Sequence, residues 1–204
     1  MIRTALKFIR DELDSYFVER EQDSVDYAEG SIVDLKSMVP DAGDGGIVEP
    51  KHITMMMVGL DEERREGKRA YYVPSEDKQF YRLNPPVELD VFILFASQVA
   101  DYEKALRDIS NLVSFFQSNP VFDGTKYPSL NATVTQPEKK PWQLIERLSF
   151  RLHMLTFEQQ NNLWGMLGKQ YVPSALYKMS LLTVFEIKSK EKVSAITELN
   201  FAEN

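Results

Sequence analysis

The chain has 204 residues, of which 43% are hydrophobic and 27% charged, and its 31 acidic and 24 basic side chains leave a formal net charge of −7. That length and balance fit one globular domain with a sizeable core and exclude a disordered chain. The acidic balance speaks against nucleic acid as a partner, because a phosphate-backbone binder concentrates basic side chains on one surface. Cysteine is absent, which excludes a disulfide framework, a thiolate nucleophile and a cysteine-ligated metal.

Residues 2–18 are expected to form the first helix. Ile2, Leu6, Ile9, Leu13 and Tyr16 or Phe17 recur at three- and four-residue steps, opposite Arg3, Lys7, Arg10, Asp11 and Asp14. The same opening stretch carries acids from Asp11 onward and lacks a small-residue cleavage site, so it is a poor signal peptide. A polar loop should follow from Glu19 to Gly30. Residues 31–39 alternate, with Val33, Leu35 and Val39 on one side and Asp34 and Lys36 on the other, the pattern of a half-open strand. Pro40 to Gly46 has turn chemistry, and Lys51 to Leu60 is expected as a second strand. The run 61–70 interleaves Asp61, Glu62, Glu63 and Glu66 with Arg64, Arg65, Lys68 and Arg69, and reads as a solvated loop or strand extension.

Val87 to Ala96 alternates in its first half and is apolar on both faces in its second, as a central covered strand would be. A second helix is expected from Tyr102 to Gln117, with Tyr102, Ala105, Leu106, Ile109, Leu112, Val113 and Phe116 at helical spacing. Asn119-Pro120 ends it. Residues 121–141 read as a loop with a short strand at 131–135. From Leu144 to Leu155 the chain alternates again, with Leu144, Leu148, Leu152, Met154 and Glu146 on one face and Arg147, Ser149, Arg151 and His153 on the other. Thr156 followed by Gln159 is a capping box for a short helix, Phe157 to Leu167, which Gly168 should close. Leu163, Trp164 and Leu167 are its expected buried face. A long strand should run from Ser174 to Ile187, antiparallel to 144–155. The order of elements makes the fold α+β, with a mixed, mainly antiparallel sheet flanked by an N-terminal helix, a central helix and a short capped helix. A single domain is expected over 1–187, with a polar tail at 188–204 in which Ile196, Leu199 and Phe201 are too sparse to define an element.

The inventory for chemistry is thin. His52 and His153 stand at strand ends without a second histidine at metal-ligand spacing, and each reads first as a core or strand-face histidine. Asp41, Asp44 and Glu49 surround glycines but depart from the EF-hand order of oxygen ligands. Asp11 and Glu12, and Glu19 and Glu21, lie on or beside a solvent-facing helix surface rather than across a cleft. No phosphate-cradling glycine motif occurs. Met55, Met56, Met57 and Trp164 read as core, and Trp142 as core or interface. No catalytic, cofactor-binding or metal-ligating residue is expected. A protein with a binding or structural role fits better than an enzyme.

Several segments together resemble a known family. Tyr81 to Ala96, YRLNPPVELDVFILFA, resembles its Asn-Pro-Pro and alternating-strand block, and Tyr102 to Val121, ending FFQSNPV, resembles the helix that follows. The most specific segment is Leu155 to Met179, LTFEQQNNLWGMLGKQYVPSALYKM. The family is that of the cap, or tail-terminator, proteins of contractile injection systems, and the resemblance extends over residues 1–187. Pro173-Ser174-Ala175 departs from relatives with a longer apolar residue before the serine, and many relatives continue well past this domain. The resemblance implies a hexameric ring of this chain on the distal end of tube and sheath, ending polymerisation and holding the extended sheath. It implies sheath protein and inner tube protein as partners, no direct membrane insertion, assembly in the bacterial cytoplasm and residence at the distal end of the particle. Leu163, Trp164, Leu167, Tyr171, Ser174 and Tyr177 match the family's most recognisable positions and are expected to define the fold. The alternatives are another connector of a contractile tail particle, or a small enzyme using His52 or His153.

Overall fold

Leu6, Ile9, Leu13 and Phe17 form one buried stripe on helix α1 (Ile2–Arg20). The computed structural model describes residues 1–21, 27, 32–39, 52–62, 71–74, 79–83, 87–135, 143–183 and 191–194. After α1 come strands β1 (Val33–Leu35), β2 (Ile53–Glu62), β3 (Tyr71–Pro74), β4 (Gln79–Leu83) and β5 (Val87–Ser97). Helix α2 (Tyr102–Ser118), β6 (Val121–Asp123), β7 (Arg147–Leu152), helix α3 (Phe157–Leu167), β8 (Ser174–Thr183) and β9 (Glu191–Ser194) complete the order.

The main sheet has six strands in the order β1-β2-β5-β8-β7-β6. The β1–β2 pair is parallel and every other pair antiparallel. The expected α+β class with a mixed, mainly antiparallel sheet is therefore what the chain adopts. β7 and β8 are neighbours with Leu148 opposite Leu181 and Phe150 opposite Met179, joined through α3 as the capping box and matching alternation indicate.

β5 lies between two long partners and is covered on both faces. Val91, Ile93 and Phe95 belong to a large core built with α1 and α2, while Leu94 and Ala96 belong to a second core with Trp164 and Leu167 of α3. Successive side chains of a strand point to opposite faces, so the two cores lie on opposite sides of one sheet. A bulge between Met57 and Gly59 shifts the β2–β5 register. A Cβ at residue 59 would come 3.3 Å from Cδ2 of Phe92, so glycine lets that ring lie close over β2.

Several expectations need correction, among them the core reading of Met57, which is 42% exposed. Asp14 is buried rather than on the polar face of α1, and its Oδ1 accepts the backbone N–H groups of Ile32 and Val33 at 3.1 and 2.9 Å, holding the entry to β1. On α2, Tyr102 and Leu106 are exposed, and the buried stripe is Ala105, Asp108, Asn111, Leu112, Phe115 and Phe116. In place of a strand at 131–135 there is a 3-10 turn at Pro128–Asn131, where the Asn131 side chain bonds both the N–H and the C=O of Ile145 at 2.9 Å. That one amide satisfies the two backbone groups a paired strand would have served. Leu152 at the end of β7 and Met154 beyond it are exposed rather than buried with Leu148.

A second, three-stranded sheet, ordered β3-β4-β9, had no counterpart in the sequence reading. Its β9 strand comes from the polar segment 188–204 and pairs antiparallel with Gln79–Arg82. Glu191, Lys192 and Ser194 have low strand propensity, so only the partner strand reveals the pairing. The expected turn at 40–46, Asp41, Asp44, Glu49 and Trp142 lie outside the described residues.

Candidate functional site

His52 and His153 lie on different sides of the sheet. The His52 ring packs at a 32° tilt against Tyr27 of the first core, with ring centroids 4.5 Å apart, and its Nδ1 is 3.1 Å from Oδ2 of Asp108. His153 sets its ring edge-on to Phe92, centroids 5.1 Å apart, beside the second core. The structure therefore does not bring the two histidines together.

Asp108 is the centre of the strongest polar cluster. It has no exposed surface, and it accepts from Tyr27 Oη at 2.6 Å and Ser97 Oγ at 3.3 Å as well as facing His52. Arg107 donates to the Tyr27 hydroxyl at 2.9 Å. Burial first, and then the hydrogen bond to Asp108 and its charge, push the Tyr27 hydroxyl up from its ordinary pKa, while Arg107 pulls it the other way. A serine, a histidine and an aspartate meet here, but the hydroxyl is bonded to the carboxylate and not to the imidazole. In a nucleophilic triad the imidazole stands between the two. The cluster instead joins residue 27, the start of β2, the end of β5 and α2 through one carboxylate.

Asp90 plays a similar part on the second face. It is buried, accepts from Ser180 Oγ at 2.5 Å, and pairs with Lys178 Nζ at 2.6 Å, tying β5 to β8. Sequence reading missed both acids, although Asp108 was detectable. It stands in phase with Ala105, Leu112 and Phe115 on the buried stripe of α2, and an acid at such a position implies buried donors.

Among the described residues no group of three or more histidine, aspartate or glutamate side chains could hold a metal ion. His153 lines an open groove of about 280 Å³ whose other walls are mainly apolar, among them Leu94, Leu152 and Leu163. That groove lacks the convergent polar groups of a reaction site.

Two large apolar side chains stand out on the surface, Phe157 at 92% and Met154 at 82% exposed. Phe157, Trp164 and Tyr171 wall an open groove of about 630 Å³ along α3 together with the polar Gln160, Asn161 and Lys169. A second open groove, of about 590 Å³, lies between α1, β1 and β2 and includes Leu6, Leu35, Val39 and Met57 with Arg3 and Lys36. Solvent-exposed apolar patches of this kind mark interaction surfaces more often than catalytic ones. Of the six positions singled out by resemblance, Trp164, Leu167 and Tyr177 are buried and Leu163 and Ser174 half-buried. Tyr171 is exposed, with its ring edge-on to Trp164 at 5.8 Å.

Comparison with known proteins agrees with this geometry. Among curated proteins none matches the sequence. By fold, the chain is similar to a cryo-EM structure of the anti-feeding prophage cap, described as its tube-terminating cap, at 12% identity and a TM-score of 0.53 over 84% of this chain and 55% of that one. It is also similar to the sheath/tube terminator of an extracellular contractile injection system in its extended state, at 10% identity and a TM-score of 0.50 over 95% of this chain and 63% of that one. The chain thus spans somewhat more than half the length of these two proteins. Residues 4–198 match the family model described as the Pvc16 N-terminal domain, nearly the whole sequence, and this chain belongs to that family.

Proposed function

We propose that this chain is the structural cap, or tail terminator, of a contractile injection system. It forms a hexameric ring on the distal end of the tube and sheath, ends polymerisation and stabilises the extended sheath. The observation that carries the reading is the family match over residues 4–198. The two solved terminators of like fold support it. Sheath protein, inner tube protein and further copies of the chain are its partners. Assembly takes place in the bacterial cytoplasm, and among the described residues no helix is long and apolar enough to cross a membrane. The cap domain in this reading covers residues 1–187, and the polar segment 188–204 adds β9 to its second sheet.

The chain is not an enzyme in this reading. Both histidines have structural surroundings, His52 against Tyr27 and Asp108 and His153 against Phe92. The exposed apolar grooves provide surface for partners instead.

Deleting the gene tests the proposal. Without a terminator no non-extendable surface stops subunit addition, so electron microscopy should show particles of broad length, or contracted or sheath-less tubes, with no density crowning the distal end. Deletion particles of normal length, with sheath and distal density retained, would replace this reading with another connector role.

A further inference from the structure

Phe157, Asn161 and Trp164 recur at four- and three-residue steps on one face of α3, and all three line the groove along that helix. Tyr171 turns back against Trp164, with ring centroids 5.8 Å apart and planes at 76°. These two rings make a corner at one end of the groove. The exposed Phe157 ring stands two helical turns away, about 10.5 Å at 1.5 Å per residue.

Two features of this wall are unused by the chain itself. Trp164 is only 5% exposed, and a buried tryptophan N–H usually has a partner. Among the described residues nothing accepts from it, yet it is not one of the polar atoms sealed from solvent. The N–H therefore reaches open space, and Trp164 lines the α3 groove and the adjoining His153 groove. Gly165, also on the wall, lies inside α3, where glycine lowers helix stability relative to alanine. Its φ is not positive, unlike that of Gly168, and a Cβ built on it meets nothing within 4 Å. Neither backbone conformation nor internal packing calls for glycine there. Bare backbone at this place lets another chain come close.

The lining discriminates between ligands. Lys169 is its charged side chain, Gln160, Asn161 and Gln170 add amides, and no acid lines it among the described residues. Sugar hydroxyls donate as well as accept, so a saccharide would call for carboxylate acceptors that are missing here. A partner helix has already used its backbone carbonyls internally. A polyproline II segment keeps its carbonyls free, and its prolines bring no N–H to satisfy. It has three residues per turn, so prolines three apart share a face, about 9.3 Å apart at 3.1 Å per residue. That spacing is close to the distance between Phe157 and the Trp164–Tyr171 corner.

We infer that the α3 groove docks a proline-rich segment of a partner protein in polyproline II form. One proline seats on Phe157, and the proline three residues along seats in the Trp164–Tyr171 corner. A carbonyl between them accepts from the Trp164 N–H, and an acid flanking the prolines faces Lys169. Flat rings and a few donors are the usual means of holding such a segment. The inference does not rest on the cap reading, which gene deletion tests separately.

The test titrates the full chain into fluorescein-labelled decaproline with a glutamate at each end, followed by anisotropy. A glycine-serine peptide of the same length and end charges is the control. Saturable binding of the proline peptide is expected, with the control weaker by about tenfold or more. Phe157→Ala and Tyr171→Ala, both at exposed positions, should each weaken binding about tenfold or more. Gly165→Leu should weaken it as much while melting no lower than the parent, because leucine is the better helix former. That split separates a docking role from a structural one. Trp164→Phe keeps a ring and removes the N–H, and should also bind more weakly. Where its place in the second core prevents folding, the three surface variants decide.

No saturable binding overturns the inference. So does binding equal to the control's, or binding undiminished in Phe157→Ala and Gly165→Leu. Saturable binding of cellohexaose that Phe157→Ala abolishes, with decaproline inert, assigns the groove to a saccharide and overturns it as well.

Discussion

Asp108 carries more of the tertiary structure than any other polar side chain described. One carboxylate with no exposed surface serves Tyr27, Ser97 and His52, three groups from distant parts of the chain. Removing it leaves buried donors without their acceptor, and breaking a buried charged network by removing one partner costs roughly 3–5 kcal/mol. Asp108→Ala should show a loss of that size in urea unfolding at neutral pH, whereas Asp108→Asn, which keeps one acceptor oxygen, should lose less. Tyr177 gives a second measurable effect. Burial pushes its hydroxyl up from 10.0 to about 12. The folded chain therefore holds this proton more tightly than the unfolded chain does. The stability linked to it is complete below the ordinary value and is lost as pH rises from 10.0 toward about 12. Tyr177→Phe removes the titration, so its unfolding free energy should fall less steeply over that window than the parent's in an alkaline urea series.

At the scale of elements, α3 depends on its ends. Its hydrophobic contribution is concentrated in Trp164 and Leu167, and the capping box at Thr156 and the left-handed Gly168, at φ 61°, define its limits. Thr156→Ala should cost about 1 kcal/mol by leaving the Gln159 amide without its cap. Gly168→Ala should cost roughly 1–2 kcal/mol, because an L side chain is strained in that conformation. The two sites share no partner and lie about 18 Å apart at the two ends of an eleven-residue helix, so the double variant's loss in thermal or urea unfolding should be the sum of the singles within about 0.5 kcal/mol. Local chemistry of this kind is legible in sequence because donor, acceptor and backbone conformation lie within a few residues. The 3-10 turn at Pro128–Asn131 was not legible, since its anchor is the backbone of Ile145, 14 residues away.

Across the whole molecule, the sheet divides the chain into a thick side and a thin side. Two long helices, α1 and α2, cover one face with an aromatic core that includes Phe8, Phe17, Phe115, Phe116, Phe122 and Phe150. The other face has the eleven-residue α3 and the smaller cluster around Trp164. A short helix cannot cover six strands, and the surfaces at its flank stay open.

Residue order alone determined the α+β class, the central strand covered on both faces, and the β7–α3–β8 hairpin with both helix caps. Each of these rests on periodicity or on groups close together in the chain, whereas the family was legible only through the resemblance of whole segments, Leu155 to Met179 above all. Tertiary structure alone decided that Asp14 and Asp90 are buried, that Tyr102, Leu106, Leu152 and Met154 are not, and that a polar segment near the end supplies β9. A hydrophobic stripe specifies which face of a helix can be buried, but how far burial extends is set by the width of what packs against it. Helical phase marks Asp108 as an acid on a buried stripe, but which groups satisfy it is settled in three dimensions, because its partners lie 11, 56 and 81 residues away.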